Sequence, residues 1–154
     1  MGLVLASASP RRRELLAALG VPFEVDPAEI EEPLPERHPH PERVARRLAR
    51  HKAEVVAARR PEDWILAADT VVVLRGRLLG KPETPEEARA MLRSLRDRWH
   101  RVITGVAVAH GKRLRVDHAQ TWVRIRAYSD EEIEASIARG APYDKAGGYA
   151  IQDP

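Results

Sequence analysis

The sequence has no cysteine, which excludes disulfides, thiol catalysis and cysteine-ligated zinc together. It has one phenylalanine and three tyrosines in 154 residues and no interleaving of aromatic with basic residues, which gives little support to stacking on single-stranded nucleic acids. No apolar run approaches the roughly 20 residues of a membrane-spanning helix. The N-terminal stretch Met1-Gly2-Leu3-Val4-Leu5-Ala6-Ser7 lacks the apolar segment of a secretion signal. A soluble, cytoplasmic protein is expected. Neither G-x-x-x-x-G-K-[ST] nor G-x-G-x-x-G occurs, which removes P-loop and dinucleotide-fingerprint chemistry. Lysine is also scarce, present only at Lys52, Lys81, Lys112 and Lys145.

What is present suits one packed domain. Apolar residues make up 44% and charged residues 32%. The 26 basic residues exceed the 23 acidic ones by three. That surplus is too small for a chain that coats nucleic acid, yet compatible with anionic small molecules. Leu3 to Ala6 reads as a strand, followed by a helix from Pro10, capped by Ser9 and stopped near Gly20. Leu15, Leu16 and Leu19 form its expected apolar face. Phe23 to Val25 reads as a short strand and Pro27 to Pro41 as a surface loop. A helix is predicted from Glu42 to Arg60. Two apolar runs follow, Trp64 to Ala68 and Val71 to Leu74, interrupted by Asp69-Thr70, with a hairpin turn at Arg75-Gly76. Thr84 caps a helix running to Arg96. Val102 to Ala109 and Leu114 to Arg126 read as strands turning near Gly111, and Ser129 caps a last helix that ends near Gly140. The expectation is one α/β domain with a mixed sheet over residues 1–154.

Five places can carry chemistry. Ser7-Ala8-Ser9-Pro10-Arg11-Arg12-Arg13 sits where a strand enters a helix, and a helix N-terminus attracts anions. Arginines disfavour that end of a helix unless an anion sits among them; the plainer alternative is a solvated turn with Ser9 as cap. Lys52 falls inside the apolar arc of its helix, with Val44, Ala45, Leu48, Val55 and Val56, while Arg43, Arg46, Arg47, Arg50 and Glu54 lie opposite. Such a lysine either snorkels to water or points at a buried anion. Asp69, flanked by small and β-branched residues, needs a cation, a metal or hydrogen bonds, or else forms a bulge that bonds its own backbone. Gly80-Lys81-Pro82 and Asp144-Lys145-Ala146-Gly147-Gly148-Tyr149 each set a scarce lysine beside glycine, where backbone can approach a ligand; both are also ordinary turns. Of the loop acids Glu29, Glu31 and Glu32, one can complete a metal site with Asp69. His38 and His40, spaced to chelate, read more simply as exposed.

Leu5 to Leu16, Leu48 to Ala53, Ala68 to Val72, Gly80 to Pro82, Thr104 to Val106 and Asp144 to Gln152 together resemble the Maf family of nucleotide pyrophosphatases, in order and over nearly the whole chain. The resemblance implies an ITPase-like α/β fold, with an elongated mixed sheet, flanking helices and a cleft between two lobes. It also implies a homodimer and a nucleoside triphosphate as substrate. The implied reaction is hydrolysis to monophosphate and diphosphate with a divalent cation, Mg²⁺ or Mn²⁺. No stable nucleic-acid binding is expected.

On that resemblance Asp69 corresponds to the catalytic base, and Ser7, Arg12, Lys52, Lys81 and Lys145 to phosphate-facing positions. Glu32 corresponds to an acidic position that helps Asp69 with the metal. Arg11, Thr70 and Gln152 match the members acting on dTTP and UTP; a Gln amide and a Thr hydroxyl can pair with the edge of a pyrimidine. The alternatives are a pyrophosphatase for 7-methyl-GTP and a non-catalytic, nucleotide-binding regulator of septum formation. One departure is that family members continue past the Ile-Gln with a glycine-rich turn and a Gly-Leu-Pro segment, which this sequence does not contain.

Overall fold

Proline opens three of the helices. The computed structural model, which describes residues 2–30 and 32–140, begins α1 (Pro10–Ala18), α2 (Pro41–Arg59) and α3 (Pro85–Leu95) with that residue. The N–H of a first helical position has no acceptor within the helix, so the missing donor costs nothing there. The fourth helix is α4 (Asp130–Ala138). Ser9, Thr84 and Ser129 are the expected N-caps, accepting from the backbone N–H of Arg12, Glu87 and Glu132 at 3.4, 3.1 and 3.1 Å.

The strands are β1 (Leu3–Leu5), β2 (Glu24–Val25), β3 (Trp64–Leu74), β4 (Arg77–Leu79), β5 (Trp99–His110) and β6 (Arg113–Arg124). They form one sheet in the order β2-β1-β3-β5-β6, with β4 paired to β3. β1 runs parallel to both β2 and β3, and β4 antiparallel to β3, so the sheet is mixed. The β3–β4 turn puts Arg75 at φ 50° and Gly76 at φ 81°, the doubly left-handed geometry that follows strand twist in a two-residue hairpin.

β3 differs from its sequence reading. The two predicted runs are one eleven-residue strand, with Asp69-Thr70 inside it. A strand's side chains alternate between faces, so Asp69 stays in phase with buried Ile65, Ala67, Val71 and Val73. A polar pair does not break the ladder when each member has somewhere to go. β4, three residues long, is too short to announce itself by period.

The chain divides into two compact units. The first holds the described residues within 1–33, 42–69 and 104–119, and the second those within 34–41, 70–103 and 120–140. The first unit's core joins Val4, Ala6, Ala28, Ala49, Ala53, Val56, Ile65, Ala67, Ala107 and Ala109. The second joins Val72, Leu74, Leu79, Leu95 and Ile125, with Tyr128 against it. The Tyr128 hydroxyl donates to the Leu92 carbonyl at 2.5 Å, and burial pushes its pKa up to about 12.

The apolar face expected for α1 is corrected. Leu16 is buried, but Leu15 is 69% and Leu19 73% exposed. The inward stripe of this nine-residue helix is the i, i+4 pair Arg12 and Leu16. Leu15 lies about 100° round the helix from Leu16, and Leu19 is already the C-cap.

Candidate active site

Register between β1 and β3 builds the first part of the site. Leu3 pairs with Trp64 and Leu5 with Leu66, and Ala6 donates to the Leu66 carbonyl at 2.8 Å. The chain leaving β1 therefore runs beside Leu66 to Ala68. Ser7 is buried, and its Oγ accepts from the Ser9 amide at 3.1 Å and from Arg12 Nη1 at 3.4 Å. The same Arg12 nitrogen donates to the Ala68 carbonyl at 3.1 Å. Burial lowers the Arg12 pKa, opposed by the Asp69 charge and reinforced by Arg11. An arginine keeps its proton regardless, so a desolvated cation is fixed one residue from Asp69.

The second part is Lys52 on α2. Around it Ala45, Leu48, Ala49, Ala53 and Val56 are buried, as its place in the apolar arc requires. Of the two readings of such a lysine, the structure has the second: Nζ lies 2.8 Å from Asp69 Oδ2, with the two side chains 21% and 20% exposed. Parity explains the meeting. Ile65 and Ala67 share a core with Ala49, Ala53 and Val56 of α2, and Asp69 projects to the same face of β3 two residues further on. The bulge alternative leaves the Asp69 carboxylate to its own backbone, whereas the structure sets the Lys52 ammonium on it.

The remaining residues are more dispersed. Arg11 is half-buried in the first turn of α1. Glu32 is bonded to His51 Nδ1 and lies 3.8 Å from Arg47 Nε. Thr70, next to Asp69 in β3, points to the other face and is half-buried. Lys81 is an exposed residue of the second unit, in the loop between β4 and α3. Glu31, Lys145, Gln152 and the whole Asp144 to Gln152 motif lie outside the described residues. The His40 amide donates to His38 Nδ1 at 2.9 Å, which makes that pair a local turn.

Three contributors carry little or no signal in the sequence. The Ala68 carbonyl has no side-chain signature, since any residue supplies one. His51 is marked only by its i+4 spacing from Arg47, the two bracketing Glu32. Arg46 reads simply as a polar-face residue of α2, yet its Nη2 donates to the Val116 carbonyl at 2.9 Å and tethers the helix to β6.

The donor set bears on a divalent cation. Among the described residues no group of three or more His, Asp or Glu is placed to hold a metal. Asp69 offers one carboxylate, and Mg²⁺ is commonly held by one or two carboxylates with substrate phosphates supplying the rest. The residues thus fit a cation that arrives on a phosphate chain.

Comparison with known proteins agrees with the motif order. The family described as Maf, Maf-like protein, matches over residues 2–154. The chain is 78% identical over 154 residues to a Thermomicrobium roseum protein named dTTP/UTP pyrophosphatase, covering all of this chain and 71% of that protein. A Moorella thermoacetica protein of the same name is 51% identical over 152 residues, covering 97% of this chain and 78% of that one. Among solved structures, the Staphylococcus aureus Ham1 protein superposes with a TM-score of 0.53 at 15% identity, covering 80% of this chain and 71% of the other. That likeness shows the α/β fold alone.

Proposed function

Since the chain belongs to the Maf family, we propose that it is a nucleoside triphosphate pyrophosphatase hydrolysing dTTP and UTP to the monophosphate and diphosphate. The observation that carries this reading is the Lys52–Asp69 pair, set beside a desolvated Arg12. The names of the T. roseum and M. thermoacetica relatives support the choice of pyrimidine substrates.

Asp69 positions a water for attack on the α-phosphorus and takes its proton; the new P–O bond forms as the bridging bond to the β-phosphate breaks. Lys52 holds the carboxylate in place and, with Arg11, Arg12 and the N-terminal amides of α1, faces the phosphates. Ser7 keeps Arg12 aimed. Asp69, with Glu32 as a second carboxylate, would hold a Mg²⁺ or Mn²⁺ arriving with the triphosphate, and such an ion would supply positive charge for the departing diphosphate. Lys81 and Lys145 add phosphate contacts, and Thr70, Arg11 and Gln152 select the base. Residues 1–154 form one Maf domain that works as a homodimer in the cytoplasm, clearing non-standard nucleotides. No described helix is long and apolar enough to cross a membrane.

Diphosphate release from a panel of nucleoside triphosphates with Mg²⁺ tests the proposal. Selective cleavage of dTTP and UTP is the expected result; preference for 7-methyl-GTP overturns the specificity, and no cleavage of any nucleotide overturns the activity.

A further inference from the structure

Helix α2 lies on β5 with no room between them. A Cβ built on Gly105 would fall 2.2 Å from the carbonyl oxygen of Ala45, 2.5 Å from its carbonyl carbon and 2.8 Å from the Arg46 nitrogen. All three are helix backbone, so no change of rotamer relieves the contact; the helix itself must shift. The neighbouring positions are built for the same closeness. Ala45, Ala49 and Ala53, spaced four apart on α2, are completely buried. Ala107 and Ala109, on the face of β5 that Gly105 shares, join Ala49 and Ala53 in one core. Arg46, beside the contact, fastens the same turn to Val116 at 2.9 Å.

Lys52 follows Ala45 by seven residues, two helical turns along the same stripe and roughly 10 Å away. We propose that Gly105 is a positioning residue. By admitting the backbone of α2 at Ala45, it sets the depth of the helix, and so brings the Lys52 ammonium onto Asp69. This rests on the reading of Lys52 and Asp69 as part of the pyrophosphatase site. Gly105→Ala needs ordinary van der Waals spacing where 2.2 Å is available, so the helix retreats by about 1 Å and takes Lys52 with it. A displacement of that size at a reacting group costs about 100-fold in rate.

The test is a double-mutant cycle of Gly105→Ala and Lys52→Met, read as kcat/KM for dTTP. Gly105→Ala alone is expected to lose about 100-fold, and less than about 3-fold further when Lys52 is already gone. Losses that multiply would mean general distortion and overturn the proposal. A crystal structure of Gly105→Ala gives a readout independent of activity: Lys52 Nζ is expected beyond hydrogen-bond reach of Asp69, and a contact kept near 2.8 Å contradicts the idea. If Gly105→Ala does not fold, Ala49→Cys adds one atom to the same stripe; unchanged kcat/KM there contradicts it equally. Full activity in Asp69→Asn removes the catalytic reading but leaves the crystallographic distance as a separate test of Gly105.

Discussion

Lys52 of α2 and Asp69 of β3 meet at 2.8 Å, both side chains about four-fifths covered. A strand of alternating faces and a helix with a small-residue stripe put one carboxylate and one ammonium at the same point. A half-buried ion pair is weak evidence for stability by itself, because desolvation offsets most of the attraction. It is better evidence for a site where charge has work to do.

Removing the lysine therefore separates the two roles. Lys52→Met is expected to lower kcat/KM at least about 100-fold, as loss of a charge-stabilising contact does. The uncompensated carboxylate lowers stability by about 1 kcal/mol, discounted from the fully buried case. Parallel melting and rate measurements check this, and unchanged kinetics would show the pair to be structural.

Arg12 uses one guanidinium nitrogen on both Ser7 and Ala68. Lysine carries the charge but not the planar fork. Arg12→Lys is expected to raise KM for the triphosphate about 10-fold, the scale of one charged contact at about 1.4 kcal/mol, with kcat less affected. Steady-state kinetics with dTTP read the split.

His100 in β5 is buried, and burial depresses its pKa below the ordinary histidine value, opposed by a hydrogen bond involving the Arg98 backbone. The folded state thus resists taking up the proton that the unfolded chain accepts at about 6.5. Its stability contribution is present above that pH and lost as pH falls through the depressed value. Melting temperature is expected to decline from pH 7.5 to pH 5, with a shallower slope in His100→Gln. Equal slopes would exclude His100 as the cause.

Helix caps serve as the control. Ser129 accepts from Glu132 at 3.1 Å, so Ser129→Ala is expected to cost about 1 kcal/mol of stability and leave turnover within about 2-fold of wild type. Thermal unfolding beside a rate assay decides; a large loss of turnover would tie α4 to the chemistry.

Much of this is legible in the sequence, and the reasons are local. Pro10, Pro85 and the serine and threonine caps announce helix starts because a cap oxygen satisfies an orphan amide and a proline removes one. Lys52 stands out because an ammonium inside an apolar arc has few explanations. Leu15 and Leu19 mislead, since a short helix buries only a narrow stripe and hydrophobicity alone does not say which. Asp69 is recognisable, but it reads as lying between two strands instead of inside one, because β3 is continued by its place in a sheet whose neighbours β1 and β5 are distant in sequence. Gly105 shows only as part of a motif; its use depends on the Ala45 carbonyl, and a backbone atom sixty residues away leaves no mark in the chain.

The most direct measurement is diphosphate release from dTTP and UTP by wild type and Asp69→Asn, with nucleotide binding measured on both. Asp69→Asn is expected to lose at least about 100-fold in turnover, the range of a positioned general base, while still binding nucleotide. Undiminished release in that variant would contradict the role of Asp69 on which the mechanism turns.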